Sequence, residues 1–193
     1  MQLPAANSNK LVGNLGSSTG YFRKTIQPHI QQNIFDTLDD LGWHTMHIDI
    51  KKDEGIDIAA DLTDINFTTE LTHRFALTIC TNMLEHVESI PLVINNLLAV
   101  TSPGGYLLIT VPYKYPIHHD PIDNGLRPTP QEIMNLFPSG TVEKVAGHII
   151  IINDKEYYKI KKSRLPLWGY RERIKYYLGK RFKVSGILLK KVV

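Results

Sequence analysis

Two aspartates, a glycine-rich turn and a loop carrying paired histidines are the residues whose types and placement could do chemistry in this sequence. Gly16 and Gly20 bracket Ser17-Ser18-Thr19 after a short apolar stretch, and glycine lets a backbone turn sharply and admit a ligand to the main chain. The lysine of a phosphate-binding P-loop is missing. A dinucleotide fingerprint needs G-x-G-x-x-G, whereas the glycines here stand at Gly13, Gly16 and Gly20, which disfavours a nicotinamide cofactor. Asp49 closes His47-Ile48-Asp49, and Asp61 follows Ala59-Ala60. A carboxylate just past a second strand accepts both hydroxyls of a ribose. The plainer alternatives are a turn carboxylate for Asp49 and a helix N-cap for Asp61.

His118 and His119 precede Asp120 in a proline-rich stretch that also holds Asp123 and Arg127. Imidazoles titrate in the range useful for proton transfer, although loop histidines are as often bonded to backbone groups. Asp123 and Arg127 suit a polar substrate or a fixed loop equally. No metal is expected, because His118-His119-Asp120 has neither helical spacing nor a second cluster to support it. Glu85-His86 could satisfy the free amides that open a helix. The single cysteine, Cys80, sits in an apolar strand and is expected as a small buried hydrophobe. One cysteine permits no intrachain disulfide and no Cys-based zinc cluster, so a reducing, cytoplasmic setting is expected.

The elements that must position these groups alternate. Apolar spacing predicts strands over 10–15, 44–50, 56–60, 74–80, 106–111, 142–152 and 182–193. Helices are expected over Gln31 to Leu41, stopped by Gly42; over Ile90 to Thr101, closed by Pro103-Gly104-Gly105; and over Pro130 to Phe137, capped by Thr129. The unbroken apolar run from Tyr106 to Val111 predicts burial on both faces. This order predicts an α/β fold: one domain over 1–193, doubly wound, with a mostly parallel seven-stranded sheet, helices on both faces and the last strand antiparallel. Ligands of such sheets bind beyond the carboxyl ends of the strands, where the turn and the aspartates fall.

The succession NLGSSTG, HIDI, IAADLTD, FALTICTNMLEHVE and SPGGYLLITVP resembles the class I S-adenosylmethionine-dependent methyltransferases, in the branch with Leu84-Glu85-His86-Val87 after the fourth strand. The resemblance covers about residues 10 to 137. It implies that S-adenosylmethionine is the cofactor and that Asn14, Gly16, Ser17, Ser18 and Gly20 lie against its methionine part. Asp49 with Ile50 would hold the ribose, Asp61 with Leu62 the adenine, and Asn82, Met83 and His86 would border the sulfonium. Such a family usually has an acid where Asn14 stands and a glycine where Ser18 stands. For a hydroxyl acceptor His118 is the expected base, with His119 and Asp120 beside it. The implied activity is methyl transfer to a small molecule, sugar or glycan. A nucleic-acid base is disfavoured, because Thr81-Asn82-Met83 replaces the Asn-Pro-Pro-Tyr type of motif.

Charge divides the chain unevenly. Residues 155–193 hold 13 of the 22 Lys and Arg against Glu156 and Glu172, a balance of +11, and the preceding residues hold −8. Within about 153–181, basic residues interleave with Tyr157, Tyr158, Trp168, Tyr170, Tyr176 and Tyr177. Such a run suits an anionic surface, or else packs its aromatics on the sheet as a solvated connection. A rival to catalysis is therefore a methyltransferase-shaped binding protein with an altered turn. No apolar run approaches the roughly 20 residues of a membrane span, and the oligomeric state is left open.

Overall fold

The structure, a computed structural model, describes residues 9–64, 66–69, 71–118, 122–153, 174 and 176–192. Its centre is a seven-stranded sheet of order β3-β2-β1-β4-β5-β7-β6. The strands are β1 (Leu11–Leu15), β2 (His44–Asp49), β3 (Ile58–Ala59), β4 (Phe75–Thr81), β5 (Thr101–Lys114), β6 (Val142–Ile151) and β7 (Lys183–Lys191). Strands β1 to β5 run parallel, and β7 inserts antiparallel between β5 and β6. The expected fold class is met: the sheet is mostly parallel, and the last strand in sequence runs against its neighbours.

Helical segments cover both faces. On one face Phe35 and Leu38 pack on Val12, Leu77 and Ile79. On the other, α3 (Ile90–Val100) and α4 (Pro130–Met134) join a larger core. Val93, Ile94, Leu97 and Val100 of α3 are all buried, each contributing about 1.5 to 3 kcal/mol relative to exposure. Buried Asn96 donates to the carbonyls of Leu62 and Asp64 at 2.9 and 3.0 Å, which ties α3 to the segment after β3. Thr129 and Glu132 form a reciprocal capping box at the start of α4, as the sequence predicts. Among the described residues no helix is long and apolar enough to cross a membrane.

Three local expectations change. The helix expected over Gln31 to Leu41 is a wide π turn, Gln31–Phe35, followed by α2 (Asp36–Asp40); another short helix, α1 (Pro28–Ile30), precedes it. A π turn takes more residues per turn than an α-helix and shifts the phase of the face. Phe35 and Leu38 therefore face the sheet while Ile34 and Leu41 are exposed. Pro103-Gly104-Gly105 does not close α3. That helix ends at Val100, and the three residues form an irregularity inside β5, whose pairing jumps from Phe75↔Thr101 to Leu77↔Tyr106. Along β5, Leu107, Ile109 and Val111 are fully buried, whereas Tyr106 and Leu108 on the opposite face are only partly covered.

Candidate functional site

Parallel pairing sets the carboxyl ends of the strands side by side. Leu15 pairs with both Ile48 and Cys80, Asp49 with Ala59, and Thr81 with Thr110. The residues just beyond, Gly16, Ile50, Ala60 and Asn82, thus share one edge of the sheet. Gly16 has φ +71, and a Cβ there would come within 2.5 Å of Met83 Cγ. Only glycine satisfies both constraints. The backbone N–H groups of Gly16 and Ser17 both donate to the Ile48 carbonyl, at 2.9 and 3.1 Å. Ser18 N–H donates to Asp49 Oδ2 at 2.7 Å, and Lys51 N–H to Asp49 Oδ1 at 3.1 Å. The ribose candidate is thereby locked against the glycine-rich turn.

Gly20 serves a different contact. Its N–H donates to the Glu54 carbonyl at 2.9 Å, and a Cβ would lie 2.9 Å from that oxygen. Its smallness admits the loop after β2. Ser18 takes φ +54, the conformation a glycine would adopt at low cost. Asn14 is buried, and its Nδ2 lies 3.0 Å from His47 Nδ1. An amide nitrogen only donates, so His47 accepts there as a neutral imidazole. Burial, with Arg23 nearby, holds His47 down at about 4, partly offset by Asp57.

Elsewhere on this edge, Ile50 is 68% exposed and presents an apolar surface beside Asp49. Asp61 is exposed and accepts from the N–H and hydroxyl of Thr63 at 2.8 and 2.7 Å, as a turn carboxylate does. Leu62 points its side chain into the core, so only its backbone faces outward. A surface hollow of about 510 Å³ has Asp61 on its rim together with Met46, Ile58, Phe67 and Arg74; the glycine-rich turn is not among its lining residues. Asn82 is exposed at φ +49, and its N–H donates to the Thr110 carbonyl.

The loop after β5 returns over the turn Leu84–His86. Asn124 fastens the two: its N–H donates to the Glu85 carbonyl, and its Nδ2 to the carbonyls of Leu84 and Val87 at 2.8 and 2.9 Å. In that loop Arg127 grips Asp123 with two bonds, Nη2 to Oδ2 at 2.7 Å and Nη1 to Oδ1 at 3.1 Å. Asp123 also accepts from His118 N–H and lies 3.3 Å from His118 Nδ1. The Arg127 bonds hold the Asp123 carboxyl well below the usual carboxylate range. The rings of His118 and His86 meet edge to face at 5.0 Å. His119 and Asp120 lie outside the described residues, as does the tail from 154 to 173 with Lys175.

A family model described as a methyltransferase domain matches residues 9–149. The chain belongs to that methyltransferase family. Solved structures agree in fold. The cyclase SpnF matches with a TM-score of 0.61 at 12% identity over 95% of this chain and 75% of that one. An S-adenosylmethionine-dependent methyltransferase from Methanosarcina mazei matches with a TM-score of 0.58 at 12% identity, covering 95% and 92%. Geranyl diphosphate C-methyltransferase from Streptomyces coelicolor, solved with Mg2+, geranyl diphosphate and S-adenosyl-L-homocysteine, gives a TM-score of 0.58 at 12% identity over 94% and 71%. A comparison with curated protein sequences gives no significant match. The chain is thus a methyltransferase by family, with the fold those structures share.

Two residues of this methyltransferase, Arg23 and Asn124, escape a reading from sequence, and Glu85 departs from the one it was given, since it caps no backbone amide. Arg23 is 2% exposed, and its guanidinium donates to the carbonyls of Ser17, Ser18 and Gly55, clamping the glycine-rich turn from behind. No spacing announces it, because an arginine early in a helical segment normally faces water. Asn124 looks like an ordinary loop asparagine until its three bonds are seen. Glu85 is fully buried, and among the described residues neither oxygen makes a hydrogen bond. Burial pushes its carboxyl up to about 7, against the pull of its own N–H, His86 and Arg127. Cys80 is the buried hydrophobe its strand implies, and burial raises its thiol far above the usual range.

Proposed function

We propose that this methyltransferase moves the methyl group of S-adenosylmethionine to a hydroxyl of a small molecule, sugar or glycan, within one domain and in a cytoplasmic setting. The observation that carries this reading is Asp49. Its carboxylate stands at the strand edge with each oxygen engaged by one N–H, and a carboxylate has about four acceptor sites. That leaves room for the two hydroxyls of a ribose. Ile50 flanks it with an apolar surface that suits an adenosine. Asp61 and the backbone of Leu62 would meet the adenine, and Asn82, Met83 and His86 the methionine end. Asn14, already paired with His47, would offer the cofactor's ammonium only its amide oxygen.

Bound cofactor supplies a methyl group on a sulfonium, so the protein's task is to place an oxygen in line with it. Orientation of this kind supplies about 7 to 11 kcal/mol of the barrier. The acceptor oxygen attacks the methyl carbon as the carbon–sulfur pair returns to sulfur, and the hydroxyl proton goes to His118. The structure favours His118 for this task because both partners of its Nδ1, the Pro116 carbonyl and Asp123 Oδ2, are acceptors. Nδ1 then carries the proton and Nε2 is left as the base. In this reading His119 and Asp120 assist that base, and the basic run of about 153–181 serves binding to an anionic surface.

The test is a set of sugars and hydroxylated small molecules supplied with labelled S-adenosylmethionine. On whichever acceptor is methylated, His118→Gln should lower turnover by about 10² fold or more, while affinity for S-adenosylhomocysteine stays within a small factor. Full turnover in the folded variant would remove His118 from the chemistry.

A further inference from the structure

We propose that Glu85, His86 and His118 form a binding site for one divalent transition-metal ion of the zinc and cobalt class. One ligand atom from each lies within 4.8 Å of the other two, and His86 Nε2 is 3.7 Å from Glu85 Oε1. Two imidazoles with one carboxylate suit first-row ions that favour nitrogen, and not the all-oxygen shell that Mg2+ prefers. This inference rests on the proposed hydroxyl acceptor and replaces the role given to His118 above, since one Nε2 lone pair cannot both hold an ion and take a proton. An ion held there would bind the acceptor's hydroxyl and promote loss of its proton to water, in place of a free imidazole taking it.

Two independent features show a built site. The first is the fully buried Glu85 carboxylate, which has no hydrogen bond to either oxygen among the described residues and faces His86. A buried carboxylate without hydrogen bonds is costly to ionise, and a cation relieves that cost. The second is the pair of outer contacts on the histidines. His86 Nδ1 meets the Ile122 carbonyl at 2.5 Å, and His118 Nδ1 meets the Pro116 carbonyl and Asp123. Acceptors at Nδ1 fix the proton there and leave Nε2 with its lone pair, the arrangement that metal-binding histidines show. Asp123 is itself fixed by Arg127, and Asn124 ties the loop to the Leu84–His86 turn. Ligands around a tetrahedral ion sit about 3.4 Å apart, so His118, on the loop, must close in by about an ångström.

The test titrates the full chain, stripped with a chelator, with Co2+ alone and with Zn2+ alone, without cofactor or acceptor. Wild type should bind in a one-to-one ratio, with visible Co2+ absorption bands. Glu85→Gln, His86→Gln and His118→Gln should each weaken binding at least ten-fold. Asp123→Asn should weaken it by about 10 to 100 fold, the usual cost of losing an orienting partner, and His44→Gln should change nothing. In wild type, Co2+ should broaden the ring signals of His86 and His118 and spare those of His44, a readout that needs no variant. Absence of one-to-one binding, unchanged affinity in the three ligand variants, or broadening centred elsewhere overturns the proposal. None of these readouts involves methyl transfer. A failed metal titration therefore leaves the proposed activity standing, and absent activity leaves a measured metal site standing.

Discussion

Ser18 holds a left-handed backbone at φ +54, and that conformation costs a residue with a Cβ roughly 1 to 2 kcal/mol. The position is fixed from both sides: its N–H is held by Asp49 and its carbonyl by Arg23. Ser18→Gly should therefore raise the melting temperature, by about 2 to 4 °C for a gain near 1 kcal/mol in a chain of this size. A lower melting temperature would show that the serine side chain contributes more than the strain costs. His47 makes a second claim at this scale. Its folded value of about 4 lies below the unfolded 6.5, so between those values the unfolded chain binds the extra proton and stability falls as pH falls. The stabilising Asn14 contact is complete above about pH 6.5. Thermal unfolding followed from pH 7 to pH 4 should show a shallower decline for His47→Gln than for wild type, and equal slopes would contradict the assignment.

Among the elements, the β1–β4 contact shows how a glycine can be read too narrowly. Gly13 enters the sequence argument only as part of a glycine spacing that fails to match a dinucleotide fingerprint. In the fold it admits Phe75, whose ring would lie 2.6 Å from a Cβ at that position. Gly13→Ala should cost about 1 to 3 kcal/mol of overpacking, and Phe75→Leu in the same chain should recover part of it; a neutral Gly13→Ala would refute this packing role. Such a contact spans 62 positions of sequence and has no local signature. Strand periodicity, by contrast, is local, and it located all seven strands, the last two of them antiparallel neighbours. Helical periodicity failed at Gln31–Phe35 because a π turn breaks the 3.6-residue rhythm on which the reading depends. The placement of Asp49 and the glycine-rich turn at strand ends was legible, because the apolar runs before them mark where those strands stop. Arg23, Asn124 and the orphaned carboxylate of Glu85 were not, since each gains its meaning from partners that only the tertiary fold supplies.

At the scale of the whole molecule, two loop systems converge on one edge of the sheet. The turn after β1 meets Asp49 from β2, and the loop after β5 meets the Leu84–His86 turn from β4. Family membership supplies methyl transfer, and in the proposed reading the cofactor would lie along the β1–β4 side of this edge with the acceptor under the loop after β5. The claim on which the rest depends is that Asp49 holds the cofactor's ribose. Calorimetric titration of S-adenosylhomocysteine into wild type and Asp49→Asn tests it most directly, because asparagine keeps the size and one acceptor oxygen of the side chain. Charge-assisted bonds are worth about 1.5 to 3 kcal/mol, so Asp49→Asn should bind about ten-fold or more weakly while its circular dichroism stays that of wild type. A folded Asp49→Asn that binds S-adenosylhomocysteine as tightly as wild type would contradict the account.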